Sequence, residues 1–184
     1  MPRINPIDHA TASGDAKKLL DAVKGSIGMV PNIFATMVQS SKVLEGFLAF
    51  NTALSQGLLS ATLREQIALT VAGENTCDYC ASAHSAIGKG AGLNQAELTL
   101  NLRGQSADEK VQTALTVVRK IVTYRGQIED GDLEKLRRAG YSEGEIVEIV
   151  ANVGINIFTN YFNHIAKTDI DFPLVASSSQ TQAA

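Results

Sequence analysis

Two cysteines and a histidine, Cys77, Cys80 and His84, stand in the pattern Cys-x-x-Cys-x-x-x-His, and Glu65 lies upstream with eleven residues between it and the first cysteine. These are both cysteines of the chain and one of its three histidines. Thr76 is a good helix N-cap and neither proline nor glycine interrupts Cys77 to Ile87, so a helix is predicted to begin at Cys77. At about 100° per residue the three side chains then fall within about 60° of one another and share one face. A thiol in the first turn of a helix sees unsatisfied N–H groups and the positive end of the dipole, which favour thiolate over thiol. A cysteine pair so spaced can close a small disulfide, and a histidine one turn further on can take or give a proton. Thiol–disulfide redox chemistry is what these residue types offer.

Other readings of the same residues stay open at this level. Zinc would need four ligands, and only Glu65, His9 or His164 could complete a set begun by the cysteines and His84. The cysteines could be inert core residues. Thr62-x-x-Glu65 is itself a capping-box pattern, in which the carboxylate would bond back to a backbone N–H rather than serve a thiol. Against that, a carboxylate at the edge of a buried helix can relay protons to a nearby group.

Glu65, Cys77-x-x-Cys80 and His84 in this register resemble the alkylhydroperoxidase D-like branch of the carboxymuconolactone decarboxylase family. Leu63-Arg64-Glu65 opening an apolar helix, Tyr79 before the second cysteine and Ala83-His84 after it fit the same pattern, most strongly over residues 45–103. The closing stretch Asn156 to Pro173 is similar to the C-terminal helix of peroxidase-related members. The resemblance implies an all-α, single-domain helical bundle that assembles as a homo-oligomer, with trimers and hexamers typical. It implies an oxidoreductase whose catalytic residues are Cys77, Cys80, His84 and Glu65, reducing organic hydroperoxides by a dithiol–disulfide cycle without flavin, haem, metal or other cofactor. The partners it implies are a hydroperoxide substrate, a dithiol or lipoyl-type reductant and a peroxiredoxin. Cys80, beside His84, is expected to be the peroxidatic residue, and Cys77 the resolving thiol, more open to a reductant. Well-known peroxidase members carry histidine where this chain has Tyr79, and a phenol with a pKa near 10 is a poor base at neutral pH. Tyr79 is expected to pack its helix against a neighbour. Two alternatives are carried forward: a non-enzymatic redox sensor or interaction protein, and a decarboxylase-like member of the same fold.

The remaining chain must position these groups. With 184 residues, 45% of them hydrophobic, and four prolines, it is long enough to bury a substantial core as one domain. A net charge of −3 gives no reason to expect nucleic acid or an anionic membrane as partner. The N-terminus lacks a signal-peptide core and no run reaches the roughly 18 apolar residues of a membrane span, so a cytoplasmic location is expected. Helical period dominates throughout, giving seven to nine helices. N-terminal helices are expected over 1–57, the redox core over 58–104 and C-terminal helices over 105–175, with a disordered Ser/Gln/Ala tail from 176 to 184. Predicted helix starts are Ser60 or Thr62, the capping boxes Asn94-x-x-Glu97, Ser106-x-x-Glu109 and Ser142-x-x-Glu145, and the acidic run Glu129–Asp132 read as a solvated N-terminus. Gly73 is expected to end one helix, and Gly88, Gly90 and Gly92 to loosen the chain after the cysteines. Asn152, Asn156, Asn160 and His164 recur every four residues on the last helix, a row read first as its solvated face. The other reading of that row is a pocket wall or a subunit contact.

Overall fold

A computed structural model describes residues 1–177. Among them are nine α-helices and no strand: α1 Gly14–Ile27, α2 Asn32–Met37, α3 Ser41–Ser55, α4 Ala61–Glu74, α5 Asp78–Gly90, α6 Gln95–Asn101, α7 Glu109–Thr123, α8 Asp130–Arg138 and α9 Glu143–Ala166. The expected disordered tail falls on 178–184, outside the described residues, apart from Ala176 and Ser177. No described helix is long and apolar enough to cross a membrane.

The helix α4 is the centre, because it is apolar on every side. Ile67 and Val71 face α7 and α9, where they pack with Leu115, Val118, Ile149 and Val153. Ala72 belongs instead to a second core formed with Leu20, Met37, Leu44 and Ala81 from α1, α2, α3 and α5. Leu69 meets Leu93 and Leu98 beside α6. A helix buried on all faces must bond its polar groups inside the protein. Accordingly, the Thr70 hydroxyl donates to the carbonyls of Gln66 and Asn101, both at 2.9 Å.

Local caps set most of the boundaries, with three departures from expectation. Ser60 caps α4 by accepting from Leu63 N–H, Asn94 caps α6, and Ser142 with Glu145 forms a full capping box on α9. The helix α7 starts instead at Asp108, which accepts from Val111 N–H. Ser106 is drawn away by Glu97, to which its hydroxyl donates. The acidic run does open α8, yet Asp132 is buried rather than solvated. Its carboxylate accepts from Lys120 at 2.7 Å and Lys135 at 3.3 Å, and the Lys120 bond foremost holds its pKa below the usual range. The glycines after the cysteines do not loosen the chain until Gly92, since α5 runs through Gly88 to Gly90.

Gly73 lies inside the last turn of α4, not beyond it. A Cβ at this position would overlap the backbone carbonyl of Leu102, so α4 and the end of α6 approach as closely as they do because no side chain intervenes. Gly73→Ala is therefore expected to lower stability by about 1–3 kcal/mol through overpacking, read as a lower Tm in thermal denaturation. Gly25→Ala, on the open face of α1 with nothing within 4 Å of its would-be Cβ, should be neutral or stabilising by up to about 1 kcal/mol. Equal effects at the two positions would contradict the close-approach account.

Candidate active site

The site begins where α4 turns into α5. Asn75 ends α4, Thr76 adopts left-handed dihedrals (φ 53°), and Cys77 N–H donates to the Ala72 carbonyl at 2.9 Å while Thr76 N–H donates to Gly73. That is the Schellman arrangement, with a β-branched residue at the position usually given to glycine. Left-handed dihedrals are costly for threonine, so the surrounding structure must hold them. From α9, His164 contacts the Asn75 carbonyl at 2.9 Å and Asn160 accepts from the Asn75 amide at 3.1 Å.

This turn moves the helix start by one residue. Cys77, not Thr76, is the N-cap, with extended dihedrals and a sulfur that accepts the Cys80 N–H at 3.3 Å. The expected common face of Cys77, Cys80 and His84 is therefore only partly formed, because a non-helical N-cap side chain folds back over the first turn. Cys80 and His84 line a cavity of about 290 Å³, and Cys77 does not. The two sulfurs are joined in a disulfide with Cα atoms 5.3 Å apart. Both cysteines are 2% exposed, so Cys77 is not the more open of the two.

The helices α4 and α5 run antiparallel, which brings the start of α4 beside the end of α5. Thr62 donates its hydroxyl to the Ala91 carbonyl at 3.1 Å, and Glu65 Oε2 meets His84 Nδ1 at 2.8 Å, both side chains largely buried. The Thr62–Glu65 capping box does not form: Ser60 caps the helix and the carboxylate is directed across to α5. With Nδ1–H on the carboxylate, Nε2 is the basic nitrogen of a neutral His84. The other two histidines, candidates to complete a metal set, are elsewhere: His9 pairs with Asp21 at 2.7 Å and His164 is on Asn75. Among the described residues no three His, Cys, Asp or Glu side chains gather to hold a metal.

Tyr79 packs as expected. Its ring meets Phe172 edge-on at 5.9 Å between centroids, and its hydroxyl accepts from Ile33 N–H at 3.2 Å. Burial foremost, with the nearby Asp171 charge, pushes its pKa well above the ordinary phenol value, although the Ile33 bond opposes this. It is a fixed wall of the cavity and no base. The C-terminal segment straps the same helix end: Asn32 N–H donates to Asp171, Val175 N–H to Ser82 Oγ, and Ser177 donates twice to Asp78.

The amide row on α9 is buried, not solvated. Asn152 and Asn156 line the cavity with Thr159 and Asn163, whereas Asn160 is fully buried beside the α4–α5 turn and His164 is exposed. The row that faces the sulfur is thus 152, 156, 159 and 163, a 4-3-4 spacing that stays on one helical face, while steps of four drift off it. Asn163, which sequence reasoning missed, donates its Nδ2 to Cys80 Sγ at 3.3 Å. The 4-3-4 spacing of polar residues in an apolar helix is the signal that could have found it.

A family model described as the carboxymuconolactone decarboxylase family matches residues 41–123. No curated protein sequence matches the chain. Among solved structures, it is similar to an alkylhydroperoxidase AhpD core, peroxidase-related protein from Ralstonia eutropha, at TM-score 0.83 and 21% identity over 92% of each chain. A peroxidase-related protein from a Silicibacter species aligns at TM-score 0.78 and 23% identity, over 91% of this chain and 92% of that one. The debrominase Bmp8, solved with 2,3,4-tribromopyrrole as a cysteine-to-alanine variant, aligns at TM-score 0.77 and 20% identity, over 92% and 91%. Residues 41–123 thus match the carboxymuconolactone decarboxylase family model, and the chain has the all-α fold of the alkylhydroperoxidase core.

Proposed function

We propose that the protein is a thiol-dependent peroxidase or disulfide reductase that acts on small organic hydroperoxides through Cys77 and Cys80. The observation that carries this reading is the setting of Cys80: it lines a cavity with the Glu65–His84 pair, receives a hydrogen bond from Asn163, and is bonded to Cys77. The fold is shared with a debrominase and does not choose the reaction; the side chains at the site do.

In the reduced protein His84 Nε2 takes the Cys80 proton, and the thiolate attacks the terminal peroxide oxygen. The O–O bond breaks, the alkoxide leaves as alcohol with the proton from His84, and Cys80 becomes a sulfenic acid. Cys77 then attacks the Cys80 sulfur, water leaves, and the disulfide closes. Cys77 has the helix-start dipole and the Cys80 N–H to favour its thiolate, which suits it to this second attack. An external dithiol resets the pair. Because both sulfurs are buried, a slender lipoyl-type dithiol that can enter the cavity suits this site better than a folded donor, and a peroxiredoxin is an onward acceptor in the reductase version of the cycle. The cell compartment consistent with this chemistry is the reducing cytoplasm.

A homo-oligomer belongs to the same proposal. Val43 and Phe50 of α3 and Val147, Val150, Phe158, Tyr161 and Ile165 of α9 are exposed large apolar side chains, a face suited to a second copy. In multi-angle light scattering, Phe50→Glu with Phe158→Glu is expected to lower the mass to one chain while helicity is retained. A wild-type monomer would refute the assembly.

With tert-butyl hydroperoxide as substrate and dihydrolipoamide as reductant, the wild type is expected to complete many turnovers. Cys80→Ser and Cys77→Ser should each abolish them, and His84→Ala should cost about 10²-fold in kcat/KM. One stoichiometric oxidation without turnover would favour a redox sensor instead. In a Cys77→Ser background, Asn163→Ala should move the pH midpoint of Cys80 alkylation upward, since the lost N–H···S bond favours the thiolate. An unmoved midpoint would remove Asn163 from the mechanism.

A further inference from the structure

Two polar atoms belonging to residues of the Cys80 cavity are buried without a hydrogen-bond partner, and they are of opposite kind. One is Nε of Arg64, a cationic donor, and the other is Oδ1 of Asn163, an acceptor. Among the described residues Arg64 enters no ion pair, its neighbour Glu65 being committed to His84. A buried donor on a cation and a buried amide oxygen, both unpartnered in residues that line one cavity, are each uncompensated until a partner reaches them. Asn163 is a special case, because the other end of its amide already holds Cys80 Sγ at 3.3 Å. Whatever hydroxyl hydrogen bonds to Oδ1 is thereby set beside the reacting sulfur. The rest of the wall is part apolar, with Phe34, Phe47 and Phe172, and part polar, with Asn152, Asn156 and the Glu65–His84 pair. A volume of about 290 Å³, at ~30 Å³ for each water-sized group, has room for about ten of them, a short branched chain rather than a long acyl tail.

We propose that the substrate of this cavity is a small hydroperoxide that also carries a carboxylate, its O–OH hydrogen on Asn163 Oδ1 beside Cys80 and its carboxylate on the Arg64 guanidinium. This rests on the peroxidase reading and narrows its substrate class. The amide of Asn163 holds the sulfur by its N–H and the terminal peroxide oxygen by its carbonyl, which sets the two reacting atoms together. Arg64 fixes the far end, and a charge-assisted bond in a partly desolvated site is the stronger kind.

The test compares two hydroperoxides that differ only in the anion, tert-butyl hydroperoxide and 3-hydroperoxy-3-methylbutanoate, with dihydrolipoamide as reductant. The readout is the ratio of their kcat/KM values within each protein. Wild type is expected to favour the carboxylate by about tenfold, Arg64→Met to bring the ratio to about one, and Arg64→Lys to keep part of the preference. A merely structural Arg64 would lower both rates together and leave the ratio unchanged, and that result, or equal values in the wild type, overturns the proposal. If neither hydroperoxide is turned over, calorimetry of the disulfide form with 3-methylbutanoate separates the two ideas. Binding that is lost in Arg64→Met keeps the carboxylate subsite while the peroxidase reading falls, and no binding to the wild type overturns the subsite as well.

Discussion

The bond between Glu65 and His84 depends on a reversal of the chain that occupies only three residues. Asn75, Thr76 and Cys77 turn α4 back on itself as α5, and a carboxylate in the second turn of one helix then meets an imidazole in the second turn of the next. The cost of left-handed dihedrals at Thr76 is borne because α9 grips the turn through His164 and Asn160. The same turn supplies the Cys77 N-cap and so determines which sulfur sits at the helix start and which faces the cavity. Nothing else in the site could be where it is if α5 left α4 in another direction.

The two sulfurs are made unequal by that geometry. Cys77 has the helix N-terminus and a backbone N–H, a setting that stabilises a thiolate without offering it to a ligand. Cys80 has a side-chain N–H from Asn163 and a place in the cavity wall with His84. Cys77 thus stands at the helix start away from the cavity, and Cys80 stands in its wall. In the proposed cycle, a place in the cavity wall rather than the helix dipole is what assigns the first attack to Cys80.

The division of the core follows from the same helix. One side of α4 is sealed by α7 and α9 with aliphatic side chains and carries no chemistry. The other side, toward α2, α3 and α5, includes both cysteines and Tyr79, and the amides of α9 extend to its edge. Polar side chains in that position are satisfied within the helix where they can be, as Asn152 and Asn156 are by donating to carbonyls four residues back at 2.8 Å. Of the side chains where this satisfaction is incomplete, Arg64 and Asn163 border the cavity. The strap of residues 168–177 closes the end of the site through Phe172, Val175 and Ser177.

What the sequence determined by itself was local. Helical period, the Ser60, Asn94 and Ser142 caps and the Cys-x-x-Cys pair are read from residues three or four apart, because the bonds they make span that distance. The all-α class follows from them. Where two local partners compete for one group, or where the partner is remote, tertiary packing decided. Glu65 bonds His84 nineteen residues away rather than its own helix start, Ser106 turns to Glu97 and leaves the start of α7 to Asp108, and Asp132 finds Lys120 and is buried. The amides of α9 became a cavity wall only because α5 lies across them, and Asn163 touches Cys80 over a separation of 83 residues. The 4-3-4 spacing can mark Asn163 as part of a polar face, but it does not say what that face meets, since the contact exists only after two helices have packed and burial has removed water as the alternative partner.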